Sequence, residues 1–104
     1  MNRTIYVTVH ESICQYDGDL GDYLFDGSDP GQTRSQTFDV PAEWIRGDKF
    51  ADERKMDILR LLYGESWFNP DPFANPVKPM PRVLTVRVLL ENGELGEETV
   101  FSPV

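Results

Sequence analysis

The sequence predicts a single α+β domain, 1–104, with a mostly antiparallel sheet of about four strands covered on one face by a helix. Three observations carry this. Residues 3–12 alternate apolar and polar side chains, the period of a half-buried strand. Residues 49–63 repeat their apolar side chains at helical spacing, which marks an amphipathic helix. Residues 82–101 form two apolar-rich runs about Asn92-Gly93, the strongest short-range signal for a β-hairpin. The expected order is β-loop-β-α-α-loop-β-β.

In the first strand Ile5, Val7 and Val9 alternate with Tyr6, Thr8 and His10. The run is rich in β-branched residues, which suit a pleated surface. His10, the single histidine, falls on the face away from the valines. Residues 13–33 follow as an acidic insert holding four glycines and a proline, so they read as turn-rich. Its Tyr16, Leu20, Tyr23, Leu24 and Phe25 imply that part of it packs, around 20–25.

Residues 34–40 are a short second strand. Pro41 opens a short helix through Arg46, since its missing N–H is harmless in a first turn. Gly47 ends that helix, and Asp48 is the expected N-cap of the main one. On the main helix Phe50, Ala51, Ile58, Leu59, Leu61 and Leu62 share half of the wheel, and Gly64 is the stop. Residues 65–81 contain five prolines, which speak against helix and central strand. Trp67, Phe68, Phe73 and Met80 give this stretch enough apolar surface to wrap the body in extended form. Pro76-Val-Lys-Pro79 matches P-x-x-P, a pattern too short to be more than a rigid covering loop.

The final hairpin has an arguable register. A two-residue loop at Asn92-Gly93 places Leu90 opposite Leu95, Val86 opposite Thr99 and Leu84 opposite Phe101, with Arg87 against Glu98 on the other face. A slip by one residue buries less apolar area. Gly96 is the expected position of a bulge.

Hydrophobic residues make up 39% of the chain, a globular composition. The first residues carry no apolar run of signal-peptide kind, and no run of about 18 apolar residues occurs; a cytosolic location is expected. Cys14 is the single cysteine, in keeping with a reducing compartment.

The net charge is −8, and its placement is the most informative feature. Residues 1–33 set Arg3 against Glu11, Asp17, Asp19, Asp22, Asp26 and Asp29. Residues 88–104 carry Glu91, Glu94, Glu97 and Glu98 without a base. The middle is balanced to within one charge. Such a field argues against binding nucleic acid directly and for binding a basic surface; plain solubility explains it as well. No Gly-rich phosphate loop, C-x-x-C, H-E-x-x-H or G-x-S-x-G occurs, so no enzyme, cofactor or metal is expected. A calcium loop from Asp17 fails, because Gly21 precedes Asp22 and position twelve is Ser28. A nuclease-like set from Asp71, Glu53 and Lys55 runs in the wrong chain order.

The expectation is therefore a non-enzymatic acidic protein that occupies a basic site on a partner protein, itself a nucleic-acid binder in one version, with no membrane involved. The residues expected to carry it are Asp17, Asp19, Asp22, Asp26 and Asp29 with Tyr16 and Tyr23, then Glu91, Glu94, Glu97 and Glu98. Its most concrete form is a phage or mobile-element inhibitor imitating nucleic acid, of anti-CRISPR or anti-restriction type, by analogy of size, acidity and missing catalytic motifs. The alternatives are an interaction or immunity-type protein using Trp67, Phe68 and Phe73 on the proline-rich loop, and a small metal-binding protein or enzyme.

Overall fold

The structure is a computed structural model that describes residues 1–25, 27–69 and 71–102. Seven strands and one helix follow in the order β1 (Asn2–Asp17), β2 (Asp22–Phe25), β3 (Gln32–Pro41), β4 (Ile45–Arg46), β5 (Lys49–Phe50), α1 (Lys55–Tyr63), β6 (Val77–Val88) and β7 (Thr99–Phe101). β1, β2, β3, β6 and β7 form one antiparallel sheet, and β4 with β5 a separate two-stranded ribbon.

β1 is the axis of the molecule. Its 16 residues reach about 50 Å at strand rise, matching the longest dimension of 50 Å. β6 pairs with it along one side, from Ile5–Val88 to Gln15–Val77. Along the other side it pairs first with β3, then with β2. The acidic insert is thus not mainly loop. Its first five residues extend β1, and Asp22–Phe25 return as β2, leaving turns at 18–21 and within 27–31.

The core lies on one face of the sheet. Ile5, Val7 and Val9 of β1, Val40 of β3, and Leu84, Val86 and Val88 of β6 meet Phe50, Ile58 and Leu59 there, all fully buried. Leu62, Tyr63, Trp67 and Phe68 pack against this cluster. The opposite face carries Thr4, Tyr6, Thr8, His10, Thr33, Ser35 and Thr85 and faces solvent, as one side of an antiparallel sheet can. His10 Nδ1 lies 3.0 Å from Thr33 Oγ1 on this face.

The helical region is shorter than its sequence period suggests. Lys49-Phe50 is strand β5, Asp52–Arg54 a 3-10 turn, and α1 begins only at Lys55. Gly47 (φ 68°) and Asp48 make the β4–β5 turn, so Asp48 caps no helix. Pro41 closes β3, and the short helix it was expected to open is a 3-10 turn at Ala42–Trp44 followed by β4. Phe50 and Ala51 are buried all the same, while Leu61 is left exposed. Gly64 (φ 84°) ends α1, its N–H donating to the Arg60 carbonyl at 2.8 Å.

Pro79 and Pro81 lie inside β6, in a stretch expected to be an extended covering connection rather than a strand. They are tolerated because β7 pairs only with residues 84–86. Residues 77–81 are consequently an edge, where a missing N–H breaks no ladder bond. Arg82 is the extra residue of a bulge, since His10 faces Val83 and Glu11 faces Pro81.

The last hairpin keeps the expected register at its base, Leu84–Phe101 and Val86–Thr99. Its tip differs. The Gly93 N–H reaches the Leu90 carbonyl at 3.0 Å and the Leu90 N–H reaches that of Glu94 at 2.8 Å, so the loop has three residues and Leu89, not Leu90, pairs with Leu95. A tight turn followed by glycine at positive φ is the usual three-residue solution, and Gly93 has φ 85°. The offset is absorbed before Thr99. There the Arg87 Nε donates to the Gly96 carbonyl at 2.8 Å, and Arg87 pairs with this backbone rather than with Glu98. Gly96 is buried so closely that a Cβ would lie 2.4 Å from the Asp48 carbonyl.

Candidate functional site

β1 outruns the helix. Alternation puts Glu11, Ile13, Gln15 and Asp17 on one side of β1, but beyond Glu11 the buried side chains are those of Ser12 and Cys14 on the other. α1 has only 9 residues, about 14 Å of helix, and covers the first part alone. Glu11 marks the boundary. It is 5% exposed, and its Oε1 accepts from Arg34 Nε at 2.8 Å while Oε2 accepts from Tyr63 Oη at 2.5 Å. Burial, then the bond to Glu11, holds the Tyr63 phenol well above the ordinary tyrosine range. The bond to Glu11 also raises Arg34. The buried carboxylate is thereby paired, as burial requires.

Beyond Glu11 the strands continue as a thin arm. On its more exposed side Leu24 and Val77 flank Gln15 from the two neighbouring strands. Ile13, Leu24 and Val77 are 39%, 43% and 47% exposed. Asp17 and Asp22 end this stripe as direct cross-strand partners. Carboxylates placed opposite each other destabilise a strand pair. Among the described residues neither joins an ion pair; the five that form involve Glu11, Glu53, Asp57 and Glu65.

The other side of the arm is filled. Tyr16 and Tyr23 meet edge to face at 5.4 Å. Tyr23 Oη donates to the Asn75 carbonyl at 2.6 Å, and the Tyr16 N–H to that of Pro76 at 2.7 Å. Lys78 Nζ lies 4.6 Å from the Tyr23 ring and 4.5 Å from that of Trp67. Its partial burial lowers the ammonium below the usual lysine range. Arg82 covers the Phe25 ring at 4.0 Å and donates to Ser12 Oγ at 2.7 Å. Cys14 is buried among these groups, which pushes its thiol up. Both tyrosines expected to anchor a partner are therefore engaged within the molecule.

The contacts of Tyr16 and Tyr23 also draw the proline-rich loop to the arm. Phe73 on this loop is 95% exposed, and Leu20 in the turn after β1 is 68% exposed. Trp67 and Phe68 do not join them. Trp67 stacks on Tyr63 at 4.9 Å and donates to the Pro79 carbonyl at 2.7 Å, and Phe68 packs edge-on to Trp67.

The two acidic segments do not converge. The Asp17–Asp22 turn lies past one end of β1, and the Leu90–Glu94 turn past the other, where the Leu89 N–H donates to the Thr4 carbonyl. They stand roughly 40 Å apart along the sheet. Several of the acids also have structural duties. Asp17 Oδ1 accepts from the Asp19 and Leu20 amides, Asp22 Oδ1 from Tyr23, and Asp29 from Ile13 at 2.6 Å and Gly31 at 3.0 Å. These are the local bonds for which aspartate is favoured in turns. Asp26 lies outside the described residues. Among the described residues no group of three or more His, Cys, Asp or Glu is placed to hold a metal ion, and no helix is long and apolar enough to cross a membrane. Comparison with protein-family models, curated proteins and solved structures gave no match.

The missed signal was the uncovered stripe. Ile13, Leu24 and Val77 stand in different segments of the sequence, and only the pairing of β2 and β6 with β1 makes them neighbours.

Proposed function

We propose that this is a non-enzymatic acidic protein that binds a basic partner protein through the end of its arm. One observation carries the reading: Asp17 and Asp22 face each other, in no ion pair among the described residues, at the end of the exposed stripe of Ile13, Leu24 and Val77. A partner with apolar side chains followed by Lys or Arg would cover the stripe and relieve the repulsion between the carboxylates. The site then needs one end of the molecule. Inhibition by imitating nucleic acid is retained only as occupation of a compact cationic pocket, because the two acidic segments are too far apart to form a continuous row.

The probe for this reading is a synthetic peptide of alternating valine and lysine. Titration followed by amide NMR should shift Ile13, Gln15, Leu24 and Val77. The affinity should fall with salt, and fall by roughly tenfold or more in Asp17→Lys/Asp22→Lys, since attraction between close opposite charges becomes repulsion. Glu91→Lys/Glu94→Lys should change it little. Equal losses from the two double variants would show that net charge alone attracts the peptide and would overturn the site.

A further inference from the structure

The second unpaired element is β3. It hydrogen-bonds to β1 alone, so half of its backbone N–H and C=O groups point outward. Among the described residues no backbone group pairs with that outer edge. Natural edge strands are usually short, bulged, or interrupted by proline or lysine. β3 runs for 10 residues in unbroken register with β1 and meets its first proline only at Pro41. It carries Arg34 and Asp39 and no other charge. Hence the longest free edge among the described residues of this −8 protein is itself neutral, and the surplus carboxylates sit elsewhere.

We infer that β3 is the seam of a symmetric homodimer, in which two copies pair antiparallel about a two-fold axis through Gln36 and normal to the sheet. Such an axis keeps the two helices on one side and makes a single ten-stranded sheet. It sets Gln36 opposite its own copy, Ser35 opposite Thr37, Thr33 opposite Asp39, and Arg34 opposite Phe38. No like charges meet, and each pair is one that stabilises neighbouring strands, by hydroxyl or amide hydrogen bonds or by a guanidinium against a ring. The arms of the two copies point in opposite directions, so their acidic tips stay apart. This inference is independent of the binding site on the arm.

Sedimentation equilibrium tests it across protein concentration, at moderate salt to screen the net charge. The expected mass at high concentration is twice that of the chain. Gln36→Lys sets two ammonium groups against each other at the axis and should weaken association roughly tenfold or more. Gln36 is exposed, and circular dichroism confirms that the variant folds. Gln36→Cys should oxidise to a covalent dimer, and the wild type, whose Cys14 is buried, should not. A monomer at every concentration overturns the inference, including one whose edge pairs instead with a strand of another protein. So does a dimer that Gln36→Lys leaves unchanged and Gln36→Cys fails to cross-link.

Discussion

The two acidic ends of the sheet have similar charge and different construction. At the β6–β7 end the apolar residues of the hairpin are used: Leu90 and Phe101 pack on the core, and Gly96 is pressed against the β4–β5 turn. Leu89 and Val100 are exposed there on the outer, threonine-bearing face. The glutamates fringe a closed turn. At the arm, Ile13, Leu24 and Val77 are 39%, 43% and 47% exposed on one side of the sheet, and two aspartates face each other beyond them. Surplus charge by itself therefore identifies neither end. What separates them is that the hairpin sends Leu90 and Phe101 into the core, while the arm ends in two carboxylates set directly opposite each other.

Substitutions at the turns sharpen this difference most. Gly96→Ala places a methyl group 2.4 Å from a backbone oxygen and should cost about 2–4 kcal/mol, the range of severe core strain. Gly21→Ala at the arm keeps open space around it although φ is +69°, and should cost about 1 kcal/mol. Urea denaturation measures both. A larger loss at Gly21 would mean that the arm, and not the hairpin, is the tightly packed end.

A smaller effect is expected where the arm meets the core. Tyr63→Phe removes the hydroxyl bonded to Glu11 and should cost about 1–3 kcal/mol at neutral pH, because the carboxylate loses one donor while buried. The pH dependence has a definite sign. The folded phenol is raised above its unfolded value, so the stability it contributes is complete below about pH 10 and is lost as the unfolded chain ionises above that. Lys78, lowered in the folded state, acts in the opposite direction. The difference between wild type and Tyr63→Phe cancels the lysine and should shrink as pH rises from 9 to 11. A difference that stays constant would place the Glu11–Tyr63 bond outside the folding equilibrium.

The smallest effect belongs to two exposed side chains. Phe73→Ala and Leu20→Ala should change stability by no more than about 0.5 kcal/mol, as for ordinary surface positions. A loss above 1 kcal/mol in thermal denaturation would show that these side chains are packed and leave the arm less surface to offer.

Much of the fold is legible in local chemistry. Alternation marks β1, Asn92-Gly93 marks the last hairpin, and Ile58, Leu59 and Gly64 mark the body and end of α1. Failures occur where tertiary pairing overrides a local rule. Residues 77–81 read as a covering connection yet form an edge of β6; Pro79 and Pro81 keep to the rule against central strands because one side has no neighbour there. Phe50 and Ala51 fit a helical wheel yet are buried from a strand and the turn after it. The acidic insert reads as turn-rich with a packed segment around 20–25, where β2 lies; the extension of β1 to Asp17 is hidden because its glycines and aspartates are turn formers. The candidate site is legible only in part. Asp17 and Asp22 stand out as charges, but their face-to-face position depends on the β1–β2 register, and the separation of the two acidic segments depends on β6 running back along β1.

That return path bears on how the molecule assembles. β1 finds β2 across a turn of a few residues but finds β6 only after about sixty more have been closed into a ring. Loop-closure entropy grows with the logarithm of length, so the distant pairing begins about 2 kcal/mol less favourably than the local one. The valines of β1 gain their full complement of neighbours last, when the final quarter of the polypeptide docks, and until then the longest strand of the protein is half dressed and sticky.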